Sequence, residues 1–332
     1  MTELGVAIVG CGLIGRKRAA ALGSANLVGC ADISIDRAKE LAATGKNVAT
    51  STDWTSIVGR PDVDIVIVAT TNDALAAVTI ASLEAGKHVL VEKPAARSRQ
   101  EFEGVMKAAA RAKTVVRIGF NHRYHPALRK ARELVDQNVL GELMFIRARY
   151  GHGGRLGYER EWRADARLSG GGELIDQGVH LIDLSRWFLG EFTQISGFAT
   201  TYFWQMPVDD NAFMTLRTDR GQTAFLHATC TEWKNLFSFE IFGRAAKIHI
   251  EGLGGSYGPE RLTLYQMLPE MGPPETTSWE YRPADLSWSL EFADFIDDIK
   301  LARKPLAGVE DAWAALKIVE TIYKESNCDY YP

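Results

Sequence analysis

The string Gly10-Cys11-Gly12-Leu13-Ile14-Gly15 constrains this chain more than any other feature. A bare G-x-G-x-x-G recurs by chance, but here its surroundings agree with it. The apolar run at residues 6–10 reads as a strand, and residues 13–22 read as a helix. Residues 27–31 read as a second strand, ending at Asp32, 22 residues past Gly10. Gly10 permits a tight turn, Gly12 lets the backbone approach a pyrophosphate, and Gly15 lets the helix sit close to the strand. The helix N-terminus then offers free N–H groups and a positive dipole end to phosphates. An acid at the end of the second strand accepts hydrogen bonds from the hydroxyls of an adenosine ribose and repels a 2′-phosphate. Asp32 therefore favours NAD, while Ser34 and Arg37 stand near enough to admit NADP.

The alternation continues through the first third. Residues 36–43 are helical in pattern, and residues 64–70 form the continuous apolar run expected of a strand buried on both faces. A helix over 73–85 stops at Gly86. A strand over 88–91, a helix over 98–112 and a strand over 115–120 follow. Such alternation predicts a doubly wound parallel sheet with helices on both faces. The pattern changes near Asn121. A helix over 126–138 leads to a strand over 143–150, a glycine- and arginine-rich loop over 151–172 and a helix over 173–189. Residues 192–283 read as long strands. Asp219-Arg220-Gly221-Gln222 makes a hairpin of 211–218 and 223–232, and 238–242 pairs with 247–251 around Gly243. Two helices, 287–302 and 309–325, close the chain, and the sequence does not name their packing partner. The expectation is an α/β dinucleotide-binding domain of Rossmann type over 1–121. An α+β domain with a large, mostly antiparallel open sheet follows over 122–332.

Size and composition exclude several classes. A chain of 332 residues is comfortable for two domains. A net charge of -4 gives no reason to expect nucleic acid or an anionic membrane as partner. The 4 cysteines, Cys11, Cys30, Cys230 and Cys328, are scattered, with neither a CxxC pair nor zinc-site spacing. With no HExxH either, no metal is expected, and a reducing compartment is the default. No apolar run is long enough to span a bilayer, and the first residues lack a signal-peptide pattern, so a cytoplasmic location is expected.

Two further segments carry chemistry. His88-Val89-Leu90-Val91-Glu92-Lys93-Pro94 runs off the carboxyl end of a buried strand, the edge where doubly wound sheets bind ligands. Pro94 biases Lys93 toward an extended conformation, and an ammonium there can stabilise negative charge on a substrate oxygen. Taken alone, the motif reads equally well as a solvated Glu-Lys pair before a turn. Asp176 and His180, four residues apart after Gly170-Gly171-Gly172, share one helix face. A histidine titrates near neutrality and can carry an alcohol proton. The aspartate can orient it, raise its basicity or bind a substrate hydroxyl; Asp183 is a rival partner for His180.

Taken in order, Gly10–Gly15, Asp32 and Glu92-Lys93-Pro94 resemble the glucose–fructose oxidoreductase / inositol dehydrogenase (Gfo/Idh/MocA) family. Thr70-Thr71-Asn72 is similar to that family's Thr-Pro-Asn turn, with Thr71 in place of the usual proline and Leu75 where a histidine often follows. Gly119-Phe120-Asn121-His122-Arg123-Tyr124 resembles its segment leaving the nucleotide domain. Residues 173–180 resemble its second signature, and Trp162-Arg163 a recurring pair. The resemblance covers nearly the whole chain. It implies NAD(P)-dependent hydride transfer between nicotinamide and a secondary alcohol or ketone. The substrate would be a sugar, a sugar derivative (nucleotide-linked ones included) or a cyclitol, with Lys93, Asp176 and His180 as the catalytic group. It implies cofactor contacts from Gly10, Gly12, Leu13, Ile14, Gly15, Asp32, Arg37, Thr70, Asn72, Glu92, Lys93, Asn121, Trp162 and Arg163. It also implies a homodimer or homotetramer built across the open sheet, whose exposed face would then need an apolar patch. Two alternatives stay open: an NAD-dependent glycosidase of the same family, and a non-catalytic NAD(H)-binding sensor. Tyr158, Trp204 and Trp233 offer flat faces to sugar C–H groups, but in a chain with 8 tryptophans such residues more often serve packing.

Overall fold

The computed structural model describes residues 4–270, 272–281 and 285–328; positions 271, 282 and 283 of the expected strand region lie outside the described residues. The first half runs β1 (Gly5–Val9), α1 (Leu13–Ala20), β2 (Asn26–Ala31), α2 (Ile35–Ala42), β3 (Ala49–Ser51), α3 (Trp54–Val58), β4 (Ile65–Val68), α4 (Asn72–Glu84), β5 (His88–Glu92), α5 (Arg99–Arg111) and β6 (Val116–Gly119). All six strands pair in parallel, in the order β3-β2-β1-β4-β5-β6. Every residue of β1 and β4 is buried, which is why both read as unbroken apolar runs rather than alternating ones. The sheet order reverses between β1 and β4, so a crevice opens beyond their carboxyl ends. The short elements β3 and α3 left no readable period in the sequence. Asp53 starts α3 by accepting the Thr55 N–H at 3.0 Å.

The second half begins with a 3-10 turn (Asn121–Tyr124) and continues through α6 (Pro126–Asp136) and β7 (Leu143–Gly151). Short 3-10 turns and α7 (Ala166–Ser169) fill the glycine- and arginine-rich loop. The helix expected over 173–189 is two structures, a π-helical turn (Leu174–Gly178) followed by α8 (Val179–Leu189). Then come β8 (Phe192–Thr200), β9 (Asn211–Thr218), β10 (Thr223–Thr229), β11 (Leu236–Gly243), β12 (Ala246–Glu251), β13 (Glu260–Gln266), β14 (Glu275–Tyr281), α9 (Ser287–Leu301) and α10 (Val309–Glu325). These eight strands form one sheet, β14-β13-β12-β11-β7-β10-β9-β8. Both expected hairpins are present. One pair, β7 with β10, is parallel, because the chain leaves β7 over α8, returns at the sheet's edge as β8, and works back inward.

One face of this sheet is covered by α8. The other is open. Along β7, β8, β9 and β10 it presents Phe145, Phe198, Phe213 and Phe225; Phe145 stacks on Phe242 at 4.2 Å, and Phe213 stacks on His227 at 4.2 Å. Toward β12 the face becomes charged, with Arg147 and Lys247 gripping Glu240 at 2.5 and 2.8 Å.

The last two helices reach back to the first half. Helix α9 packs on α1 and on the 3-10 turn, and α10 packs on α5, α8 and β8. Arg18 of α1 is fully buried and donates to Glu92 at 2.6 Å and to Glu291 of α9 at 2.5 Å. Removing one partner of a buried ion group leaves uncompensated charge in a medium that solvates it poorly. Arg18→Met, which strands both carboxylates, is therefore expected to lower unfolding free energy by roughly 3–5 kcal/mol. Urea denaturation measures this, and a loss below about 1 kcal/mol would show that water already screens the group.

Candidate active site

The glycine loop is shaped by contact. Gly10 sits at φ +95° and packs so closely on β4 that a Cβ would come within 2.3 Å of the Ala69 carbonyl oxygen. Gly15 packs beneath the Gly10 carbonyl. Gly12 differs: a Cβ there would meet nothing within 4 Å, so the loop is open on the side that faces the crevice. No side chain caps α1 and no acid stands in its first turn, which leaves its N–H groups available to an anion. That open cradle fits the pyrophosphate of a dinucleotide. Leu13 is exposed at the loop's tip, and Ile14 is half-buried beside it.

Asp32 ends β2 and accepts the Cys11 N–H at 2.8 Å, the Ser34 N–H at 2.9 Å and Arg37 Nε at 3.0 Å. The ribose-binding candidate is thus tied directly to the glycine loop, and Arg37 is the half-exposed partner among the three. Thr70 donates to the neighbouring Thr71 carbonyl at the carboxyl end of β4. The buried Asn72 donates to the Ser169 carbonyl at 2.8 Å, linking α4 to α7. Glu92, expected on the cofactor, accepts from Arg18 at 2.6 Å and also lines the cleft beside Lys93.

The three expected catalytic residues meet at one end of the crevice. Lys93 donates to Asp176 Oδ1 at 2.5 Å and to the Asp176 carbonyl at 2.7 Å. Arg163, stacked over Trp162 at 4.6 Å, donates from Nε to Asp176 Oδ2 at 2.9 Å. Burial opposes ionisation of Asp176, but the Lys93 and Arg163 cations outweigh it and hold the carboxyl below the usual carboxylate range. His180 is buried, and burial first, then the charge of Lys93 and the neighbouring His125, push its pKa well below that of a free imidazole. It is therefore neutral around pH 7.

Asp176 does not orient His180. Both oxygens of its carboxylate face cations, and the turn that carries it is π-helical, so the face-sharing of an α-helix does not apply. Asp183 is not the partner either, since it pairs with Arg123 at 2.8 and 2.5 Å. His180 instead lies flat against His122, ring centroids 3.7 Å apart and planes 18° from parallel. Among the described residues, His180 Nδ1 has no hydrogen-bond partner, and it is buried. Asn121, beside His122, donates to Ser287 at 2.9 Å. Lys93, Asp176, His180, His122 and Arg163 line a cleft of about 130 Å³, with Tyr150, Tyr257 and Trp288 among its walls. A larger groove of about 660 Å³, next to α6 and α9, contains none of them. Among the described residues no group of His, Cys, Asp or Glu is arranged to hold a metal, and no helix is long and apolar enough to cross a membrane.

Sequence reasoning missed the group that sets the π turn. Asp209 accepts the Gly172 and Leu174 N–H groups at 2.8 Å each, and the Tyr323 hydroxyl at 2.8 Å. Gly172 passes so close to Asp209 that any Cβ would collide with its backbone. Tyr158 is buried against Glu173 at 2.8 Å, Trp204 donates to the Cys230 carbonyl, and Trp233 is exposed. No local signal marks Asp209, because its partners lie 35 to 114 residues away.

Comparison with known proteins agrees with this architecture. Residues 4–120 match the model of the oxidoreductase family with an NAD-binding Rossmann fold, and residues 128–249 match that of the GFO/IDH/MocA C-terminal domain. Levoglucosan dehydrogenase of Pseudarthrobacter phenanthrenivorans is 27% identical over 234 residues, 67% of this chain and 60% of that protein. Inositol 2-dehydrogenase 2 of Saccharopolyspora erythraea is 26% identical over 231 residues, 66% of this chain and 64% of that protein. The matches thus span less than two thirds of the length of these curated relatives. A solved levoglucosan dehydrogenase, in complex with NADH and levoglucosan, shares the fold with a TM-score of 0.90 over 98% of both chains, at 22% identity.

Asp32 supplies the test of the cradle. Hydrogen bonds to a charged group contribute about 1.5–3 kcal/mol, so Asp32→Ala is expected to weaken NADH binding roughly 10- to 100-fold and NADPH binding far less. Fluorescence titration with both cofactors reads this directly; equal losses would mean that Asp32 serves only the loop.

Proposed function

This chain belongs to the GFO/IDH/MocA oxidoreductase family, and on that footing we propose that it is an NAD-dependent dehydrogenase or reductase acting on a secondary alcohol or ketone of a sugar or cyclitol. The carrying observation is the Lys93–Asp176–Arg163 cluster beside a neutral His180, at the sheet edge that the glycine cradle also faces. The names of the relatives, a levoglucosan and an inositol dehydrogenase, support the substrate class. We assign cofactor binding to residues 1–121, and substrate binding and self-association to residues 122–332.

The cofactor, when bound, supplies the hydride chemistry. The glycine loop and the start of α1 hold its pyrophosphate, and Asp32 holds its adenosine ribose. Lys93 has three N–H bonds; two point to Asp176, and the third is left for a substrate oxygen, where it favours the anionic form. Asp176 fixes the aim of Lys93 and of Arg163. His180 takes the hydroxyl proton in oxidation and returns it in reduction. With Nδ1 sealed in the interior, Nε2 is the nitrogen left for that proton.

Lys93→Ala and His180→Ala are each expected to lower kcat about 10²- to 10⁴-fold while NADH still binds. Absorbance at the NADH band with inositols, free sugars and nucleotide sugars measures turnover. Because His180 titrates below the free imidazole value of about 6.5, kcat/KM for oxidation should rise with pH through that lower pKa and stay flat across neutrality. An acid limb centred above that value would remove His180 as the base.

The aromatic open face of the second sheet supports self-association between copies. Phe225 is 52% exposed at its centre. Phe225→Glu is expected to yield a smaller species in sedimentation velocity with its circular dichroism unchanged; an unchanged mass would place the contact elsewhere.

A further inference from the structure

When His180 takes a proton, a positive charge appears in a buried site that also holds the Lys93 ammonium. Desolvation and like charge both oppose this, so something in the site must favour the imidazolium if His180 is to work as a base. Among the described residues, the ring stacked on it is His122.

The protonation of His122 follows from its partners. Ser287 donates its hydroxyl proton to Asp285 Oδ1 at 2.5 Å, so its oxygen must accept from Asn121 Nδ2 at 2.9 Å. That turns Asn121 Oδ1 toward His122 Nδ1 at 3.2 Å, where an amide oxygen can only accept. His122 therefore carries its proton on Nδ1. Its Nε2 is left bare and is buried with no partner among the described residues. The chain Asp285, Ser287, Asn121, His122 ends on a carboxylate, which draws the Nδ1 proton outward and leaves the ring electron-rich. Edge contacts from Tyr150, at 5.2 Å to His122 and 6.1 Å to His180, close the stack from the side.

We propose that His122 is a positioning residue: locked as the neutral Nδ1–H tautomer, it holds the His180 ring in plane and stabilises, through its π face, the positive charge that His180 gains with the substrate proton. The substrate O–H bond breaks with its electron pair left on oxygen, and an N–H bond forms on His180; His122 neither gains nor loses a proton. An imidazolium over a desolvated aromatic face gains on the scale of a buried cation–π contact. The catalytic role of His180 rests on the dehydrogenase reading above; the stacked pair and its titration do not. The groups that bear on the pair are Lys93, His125 with its partner Glu260, Lys17 and Tyr150, with Asp176 in the same cleft. The cations among them lower the pKa of the pair, and the π face adds to the carboxylates in opposing them.

The test compares His122→Leu, which removes the face, with His122→Phe, which keeps it. Nitrogen-15 NMR of the histidines follows His180 without any need for turnover. In His122→Leu the His180 titration should fall about one pH unit or leave the accessible range, and in His122→Phe it should stay near that of the unmodified protein. With an active substrate, kcat should drop roughly tenfold in His122→Leu with KM within about twofold, and recover in His122→Phe. An unchanged His180 titration in His122→Leu overturns the inference whatever the turnover. A His180 titration that falls in both variants also overturns it, since shape rather than the π face would then matter. The same spectra of the unmodified protein test the tautomer independently of any variant's folding: a protonated Nε2 on His122 overturns the assignment. If the titration shifts as expected but no sugar or cyclitol is turned over, the inference stands and the dehydrogenase reading fails.

Discussion

Burying the Asp176 carboxylate is unfavourable on its own, and two cations from different parts of the chain reverse the balance. Lys93 arrives from the end of β5 and Arg163 from the loop after β7. Neither cation can be withdrawn without leaving charge unpaired in a desolvated site. The crevice edge, the loop and the π turn are therefore held in one geometry by a single side chain. The same arrangement takes the carboxylate away from His180 and leaves that histidine to an aromatic environment.

The π turn is itself placed from far away. Asp209, just ahead of β9, satisfies the N–H groups that open the turn, and Tyr323 of α10 holds Asp209. A helix near the end of the chain thus helps to set where Asp176 points. Arg18 does comparable work on the other side, tying the end of β5, and so the approach to Lys93, to α9 through Glu92 and Glu291. The two closing helices are parts of the site's framework, although their sequences show only amphipathic helices.

Much of the first half was legible because its signals are local. The glycine loop, the apolar runs of β1 and β4 and the acid at Asp32 are read within a few residues of one another, and the observed strand order agrees with them. Lys93 was singled out by its place at the end of a buried strand, Asp176 and His180 by their four-residue spacing, and all three as a catalytic group by the family resemblance; the fold brings them to one cleft. Other features lay beyond the sequence for physical reasons. Helical spacing paired Asp176 with His180, but a wider turn and two cations separated their roles. Nothing near Glu92 announces its ion pair with Arg18, 74 residues earlier. The mostly antiparallel sheet expected of the second half is present, but the sequence could not place its parallel pair, β7 with β10, since alternation along a strand is blind to its neighbour's direction.

The amino-acid sequence determined by itself where the backbone turns, which strands are buried on both faces, and which residue types stand at the sheet's carboxyl edge. These follow from backbone sterics and hydrophobic period, which act over a few residues. Only the tertiary structure decided which charge meets which, and that two histidines 58 residues apart in sequence lie face to face at 3.7 Å. Hydrogen bonds, ion pairs and ring contacts depend on distances of a few ångströms and on the exclusion of water. Both are set only when distant segments pack.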